Sequence, residues 1–405
     1  MRLPGIFLKQ FSLVGVFLLL CFPPPAIAGA TEEKAEATPA AACHPCGFEP
    51  EAAALDKLLL RYKALAANGG WPKWVMGKKI QPHTSDPRIP VLRQILAATG
   101  DAAPEPGTAM SPAYDDALAE GVKRFQLHHG LTADGTLGKS TQAALAVPVE
   151  TRITQIAATI DRIRARPQAA ESRFILVNLP AYTLFAVDKG QTQLIMRVII
   201  GNRKNHTPLF DNAVTDVIFN PQWHVPERIA RKELTPKLRE DPAYFVKAGF
   251  VVTQDGEPID PLHARPDDDK FTFRQLAGGE NALGKIKFNI PDSDNIYLHS
   301  TATPRLFAKD DRALSHGCIR VEDPRALAYF MFDGKADWDK KRIDKTYDGD
   351  AERWVKVEAT PVHLVYWTAF VDAAGAAYFY PDVYGKDTAT TADNDQKRPV
   401  TLAAQ

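Results

Sequence analysis

Excess charge of either sign is missing from this chain: 49 Lys and Arg balance 49 Asp and Glu over 405 residues. That balance gives no support to bulk nucleic-acid binding or to coating an anionic membrane. Beyond residue 22 no apolar run is long enough to span a bilayer. A phosphate-cradling Gly loop and a zinc-hydrolase signature are absent too, so the motifs call for no metal or organic cofactor. Cysteine is scarce, with four residues, and only Cys318 lies beyond residue 46. What is present, 45% hydrophobic and 24% charged residues, is a globular composition. It excludes a wholly disordered chain, a collagen and a polytopic membrane protein, and the length suits two or three domains. The 31 Pro and 25 Gly point to a partly loop-rich β protein.

The first 28 residues read as a secretory signal peptide. Arg2 and Lys9 are basic, Phe11 to Phe22 is mostly apolar, Pro23–Pro25 breaks the run, and Ala26-Ile27-Ala28 offers small residues for cleavage. An uncleaved anchor is the competing reading. The expected location is the periplasm, exported and wall-associated, with membrane contact only through the leader before cleavage. Residues 29–49 form a low-complexity linker, expected to be disordered. Cys43 and Cys46 within it lie outside any βαβ pattern, which favours a passive local disulfide over a redox pair. Cys21 leaves with the leader, so Cys318 stands alone.

From residue 50 the texture is helical. Leu55, Leu58, Leu59, Tyr62 and Leu65 recur at helical spacing in a scaffold over 50–87. Pro90 to Ala98 reads as a helix stopped by Gly100. Ser111-Pro112 reads as an N-cap and N1 proline, followed by the stripe Leu118, Val122, Phe125. His128 and His129 fall at the surface or the helix end. Asp134-Gly135 is a tight turn and Ser140–Leu145 a short helix. The phrase VKRFQLHHGLTADGTLGKSTQAAL resembles the three-helix peptidoglycan-binding module of many wall enzymes, over residues 88–147. A connecting helix over 148–171 carries Ile153, Ile156, Ile160 and Ile163. β-type runs then begin near 172 and extend to 385, interrupted by residues 227–282. That interruption holds a helical piece (Glu227–Leu238), several prolines and the acidic run Asp267–Asp269, and reads as a capping insertion. The tail, 386–405, reads as disordered.

The sharpest chemistry lies between Tyr297 and Val321, which contain the lone thiol and two histidines. A thiolate is the nucleophile in cysteine chemistry, and an imidazole can take its proton. His299 ends a predicted strand. Cys318 falls on a turn before a helix opened by Asp323-Pro324. The amides near Gly317 and Cys318 are candidate oxyanion donors. Two other readings stand beside this one: His299, His316 and Cys318 as zinc ligands, or a merely buried cysteine with core histidines.

The residues Leu283-Gly284-x-x-x-Phe288, Tyr297-Leu298-His299 and Ser315-His316-Gly317-Cys318-Ile319-Arg320-Val321 resemble the L,D-transpeptidase catalytic domain. Asn220-Pro221-x-Trp223-x-Val225-Pro226 and Tyr366-x-Thr368-Ala369-Phe370 are similar to its large Gram-negative subgroup. The resemblance implies an α+β chain: a helical scaffold, a three-helix peptidoglycan-binding module, and a β-sandwich-like catalytic domain with a mainly helical and loop insertion. It implies Cys318 as nucleophile, His299 as base and later acid, and the Ser300 main-chain carbonyl as orienter of the imidazole. His316 and Gly317 line the site, though some members lack the second histidine. Arg320, which some relatives replace by Asn, contacts substrate or braces the loop. Tyr297 and Phe288 are core or pocket wall, and Trp223 is a further substrate-side candidate. The implied reaction makes 3→3 cross-links through a thioester, releasing D-Ala from a tetrapeptide donor, without a cofactor. The implied partners are peptidoglycan stem peptides and glycan, with other wall synthases alongside. The same dyad also suits an L,D-carboxypeptidase or a cross-link endopeptidase, and a noncatalytic wall-binding scaffold is the reading from another class.

Overall fold

The computed structural model describes residues 48–387, except 105, 167–170 and 265–269. The leader, Cys43 and Cys46, the acidic run Asp267–Asp269 and the tail from 388 lie outside the described residues. Among the described residues no helix is long and apolar enough to cross a membrane.

Five helices come first: α1 (Phe48–Ala67), α2 (Ile89–Thr99), α3 (Asp116–His128), α4 (Lys139–Leu145) and α5 (Val149–Arg164). α1 buries Ala52, Leu55, Leu58 and Tyr62 against Ile156, Ile160 and Ile163 of α5. Helices α2 to α4 share a separate core of Ile89, Leu92, Leu96, Leu118, Val122, Phe125, Leu137 and Leu145. α3 does not start at Ser111-Pro112. Its N-cap is Asp115, whose side chain accepts from the Leu118 amide. The buried Tyr114 bonds through its amide to the Thr84 carbonyl, which keeps the lead-in extended until Asp115. His129 does end α3, but it is buried, stacked on Phe125 at 3.9 Å.

The strands are β1 (Arg173–Asn178), β2 (Thr183–Asp188), β3 (Gln191–Gly201), β4 (Phe210–Phe219), β5 (Trp223–His224), β6 (Phe250–Gln254), β7 (Glu257–Ile259), β8 (Phe271–Gln275), β9 (Ile286–Asn289), β10 (Leu298–His299), β11 (Ala313–Ser315), β12 (Ile319–Val321), β13 (Arg353–Val365), β14 (Ala369–Val371) and β15 (Ala377–Phe379). The main sheet runs β11-β3-β12-β10-β9-β4-β13-β1-β2, and β2 pairs again with β3. The sandwich-like halves are therefore joined into a closed ring. β3 makes this possible by its length: residues up to Arg197 pair with β2, while Val198 and Ile199 pair with β12. Ile175, Val177, Leu184, Val198, Phe219, Phe288, Leu298, Ile319 and Leu364 fill the interior. The helix Pro324–Phe332 packs on this core and begins as expected, with the Asp323 side chain accepting from the Ala326 amide.

The insertion departs from the mainly helical and loop expectation. The helical piece is present over Glu227–Glu240, with a π-helical centre at Ala230–Leu234. The rest is built on a four-stranded sheet, β5-β8-β6-β7. Phe250 and Val252 face Phe271 and Phe273 around Phe245, at strand period. Asp255 and Gly256, both with positive φ, turn β6 into β7.

Candidate active site

The site is written in the register of three neighbouring strands. His299 on β10 is paired with Lys287 on β9 and with Arg320 on β12. Phe288, Leu298 and Ile319 point into the ring, so Lys287, His299 and Arg320 share its outer face. Two residues back along the chain, Tyr297 and Cys318 form a second row on that face. Phe288 was a pocket-wall candidate. It is fully buried in the core, and strand alternation gives its neighbour Lys287 the outward position instead.

The loop before β12 is held by its own side chains. Ser315 Oγ accepts from the Gly317 amide at 3.1 Å and donates to the Cys318 carbonyl at 2.6 Å. Thr207 Oγ1 donates to the Gly317 carbonyl at 2.7 Å. Gly317 has φ +127°, which favours glycine. Its amide, a candidate oxyanion donor, points to Ser315 Oγ. Among the described residues the Cys318 amide donates to no protein oxygen. Behind His299, Gly284 has φ +63°, and a Cβ there would meet Ser300 Oγ at 2.4 Å and the Thr301 nitrogen at 2.6 Å. The Leu283-Gly284 pair thus lets two backbones meet beside the imidazole. The carbonyls of Leu283 and Ser300 lie next to the ring, although Nδ1 has no well-formed hydrogen bond.

The Cys318 thiol donates to the Asn295 carbonyl at 3.3 Å. Burial pushes this thiol up from its ordinary pKa, while the Tyr297 amide and hydroxyl, Lys287 and Arg320 pull the other way. His299 is pushed down to about 3, first by burial and then by the Arg320 charge; the two carbonyls oppose this, and Lys287 adds to it. At rest the pair is therefore a neutral thiol and a neutral imidazole. The Tyr297 ring meets His299 edge-on at 5.6 Å and carries Lys287 Nζ above it at 4.1 Å. The Tyr297 hydroxyl lies beside Cys318 and the Trp223 indole, which brings the root of the insertion to the thiol.

His316 is not gathered into this cluster. Its Nε2 pairs with Glu233 Oε1 at 2.8 Å, on the π-helical part of the insertion. Among the described residues no group of three His, Cys, Asp or Glu side chains is placed to hold a metal. Lys287, Asn295 and Ser315 were missed as site residues. Ile286-Lys287-Phe288-Asn289 did carry a signal for the first: with Phe288 inside, Lys287 must face out.

A thiol and an imidazole at neighbouring strand ends, both met by Tyr297, are residues suited to acyl transfer. Residues 172–343 match the family model for the L,D-transpeptidase catalytic domain. Residues 85–145 match the model described as "Putative peptidoglycan binding domain". Residues 172–343 and 85–145 are thus the two regions of this chain that are similar to known domain families. A Haemophilus influenzae protein named "Putative L,D-transpeptidase" is 35% identical over 244 residues, which is 59% of this chain and 49% of the relative. The chain thus spans about half the length of that curated relative. Among solved structures, an L,D-transpeptidase from Xylanimonas cellulosilytica covers 72% of this chain and 99% of its own, at 17% identity and a TM-score of 0.22. One from Stackebrandtia nassauensis covers 73% and 96%, at 13% identity and a TM-score of 0.29.

Proposed function

We propose that this protein is a periplasmic cysteine L,D-transpeptidase that forms 3→3 cross-links in peptidoglycan. The observation that carries the reading is the contact of Tyr297 with both His299 and Cys318 within a matched catalytic domain, at the root of the insertion. Cys318 Sγ attacks the carbonyl of the third stem residue while His299 takes the thiol proton. The free Cys318 amide and the Tyr297 hydroxyl supply donors where the oxyanion develops. Collapse expels D-Ala, whose amine receives the proton from His299, and leaves a thioester. The side-chain amine of a second stem then attacks, His299 accepts its proton, and the thiol departs and is reprotonated. Two displacements through one covalent intermediate predict ping-pong kinetics.

The covering insertion supports amine over water as acceptor, since exclusion of water protects a thioester. Glycan held by the peptidoglycan-binding domain would keep the enzyme on its polymeric substrate, beside other wall synthases. The test is mass spectrometry of the full chain incubated with disaccharide tetrapeptide, beside Cys318→Ala. A 3→3 dimer made only by the unmodified protein is expected. Tripeptide without dimer would make it a carboxypeptidase. Untouched substrate with a reactive thiol would favour a binding scaffold.

A further inference from the structure

Two cations stand on the outer face and feel the Cys318 sulfur, and among the described residues neither pairs with a carboxylate. Arg320 Nε is buried without a hydrogen-bond acceptor, and among the described residues its guanidinium forms no ion pair. Lys287 is half-buried and, among the described residues, makes no ion pair; its ammonium lies over the Tyr297 ring at 4.1 Å. The carboxylate it feels most is Glu352, which accepts from the Gln222 amide instead. Unpaired cations in a partly dry site are costly unless something anionic arrives. The two lie on alternate strands with His299 between, so their Cα atoms are about 10 Å apart. Long side chains from both sides can therefore reach one group.

We propose that Lys287, with Arg320, reads the terminal carboxylate of the donor stem and so selects donors that end immediately after the scissile bond. This rests on the transpeptidase reading above. In such a donor the terminal carboxylate is three covalent bonds from the attacked carbon, a span of about 3.7 Å. Cys318 immediately precedes β12, Arg320 follows two residues on, and each side chain feels the other's charge. The same placement thus puts the carbonyl at the sulfur and the carboxylate among the cations. The other stem carboxylates lie farther from the attacked carbon. A seated carboxylate also offsets the positive field that Arg320 and Lys287 impose on the His299 ring. Binding the correct donor end thereby makes the imidazole a better base.

The experiment is calorimetric binding of disaccharide tetrapeptide, and of the same peptide amidated at its C-terminus, to full-length Cys318→Ala. The free acid is expected to bind about 10-fold to 100-fold more tightly than the amide, the range for one charged hydrogen bond. Adding Lys287→Gln should remove most of that gap by weakening the acid alone, and Lys287→Arg should restore it. Equal binding of acid and amide, absence of binding by either, or a gap that survives Lys287→Gln overturns the proposal. The acid-to-amide comparison needs no change at Lys287, so a misfolded variant does not protect the idea. Because binding is read without turnover, an unmodified enzyme that makes no dimer would sink the transpeptidase reading and leave this result standing on its own.

Discussion

Ser315 and Cys318 are tied by a 2.6 Å hydrogen bond from the serine hydroxyl to the cysteine carbonyl, with the Gly317 amide donating back to the same hydroxyl. One buried side chain therefore sets the curvature of the loop that presents the thiol. Ser315→Ala leaves a buried carbonyl and a buried amide unmatched. It is expected to cost about 1–3 kcal/mol of stability and to lower cross-linking, while Cys318 still alkylates. Thermal unfolding beside iodoacetamide labelling checks both halves; full cross-linking would refute the role.

The thiol is raised by burial and His299 is held neutral. Alkylation of Cys318 should accordingly climb with pH above the range of an ordinary thiol, without a reactive plateau near neutrality. His299→Ala should leave the alkylation profile almost unmoved while abolishing D-Ala release. A plateau at pH 5–7 that vanishes in the variant would mean a resting ion pair instead.

His299 also shapes acid stability. Its folded pKa, about 3, lies below the ordinary 6.5, so the unfolded chain binds the extra proton. Its contribution is full above pH 6.5 and is lost as pH falls toward 3. His299→Gln should lose less Tm between pH 7 and pH 5 than the unmodified protein. Parallel losses would mean the buried ring is not the source.

Gly284 has positive φ and no room for a methyl group against Ser300 and Thr301. Gly284→Ala should cost about 1–3 kcal/mol and depress kcat more than KM, because the backbone that abuts His299 must shift. An equal effect on both parameters would assign the glycine to general packing.

His316 and Glu233 link the catalytic loop to the insertion across an ion pair of two substantially exposed groups. Glu233→Gln should change stability by less than about 1 kcal/mol but raise the ratio of tripeptide to dimer, by up to about fivefold. A constant ratio would show that the pair does not govern water access.

Much of this was legible in the residues. The helix opened by Asp323-Pro324 and the β-type runs from near residue 172 are local signals, and the structure follows them. What escaped depends on partners distant in sequence. Tyr114 stays extended because Thr84 accepts its amide. The insertion's strands are short, and only their pairing makes Phe250 and Phe273 one core. Lys287 reads as a surface lysine until β9 is set beside β10, since cross-strand register is not written in either strand alone.

The ring of strands also dictates an order of events. β1 has β13 as its parallel neighbour, so the first strand of the domain waits for the last long one. A chain emerging from the ribosome holds two unsatisfied edges until residue 365 exists, and contacts of such long range form slowly. Until then the interior around Val177 and Leu364 stays open to water, and no part of the ring is sealed before its last long strand is laid in.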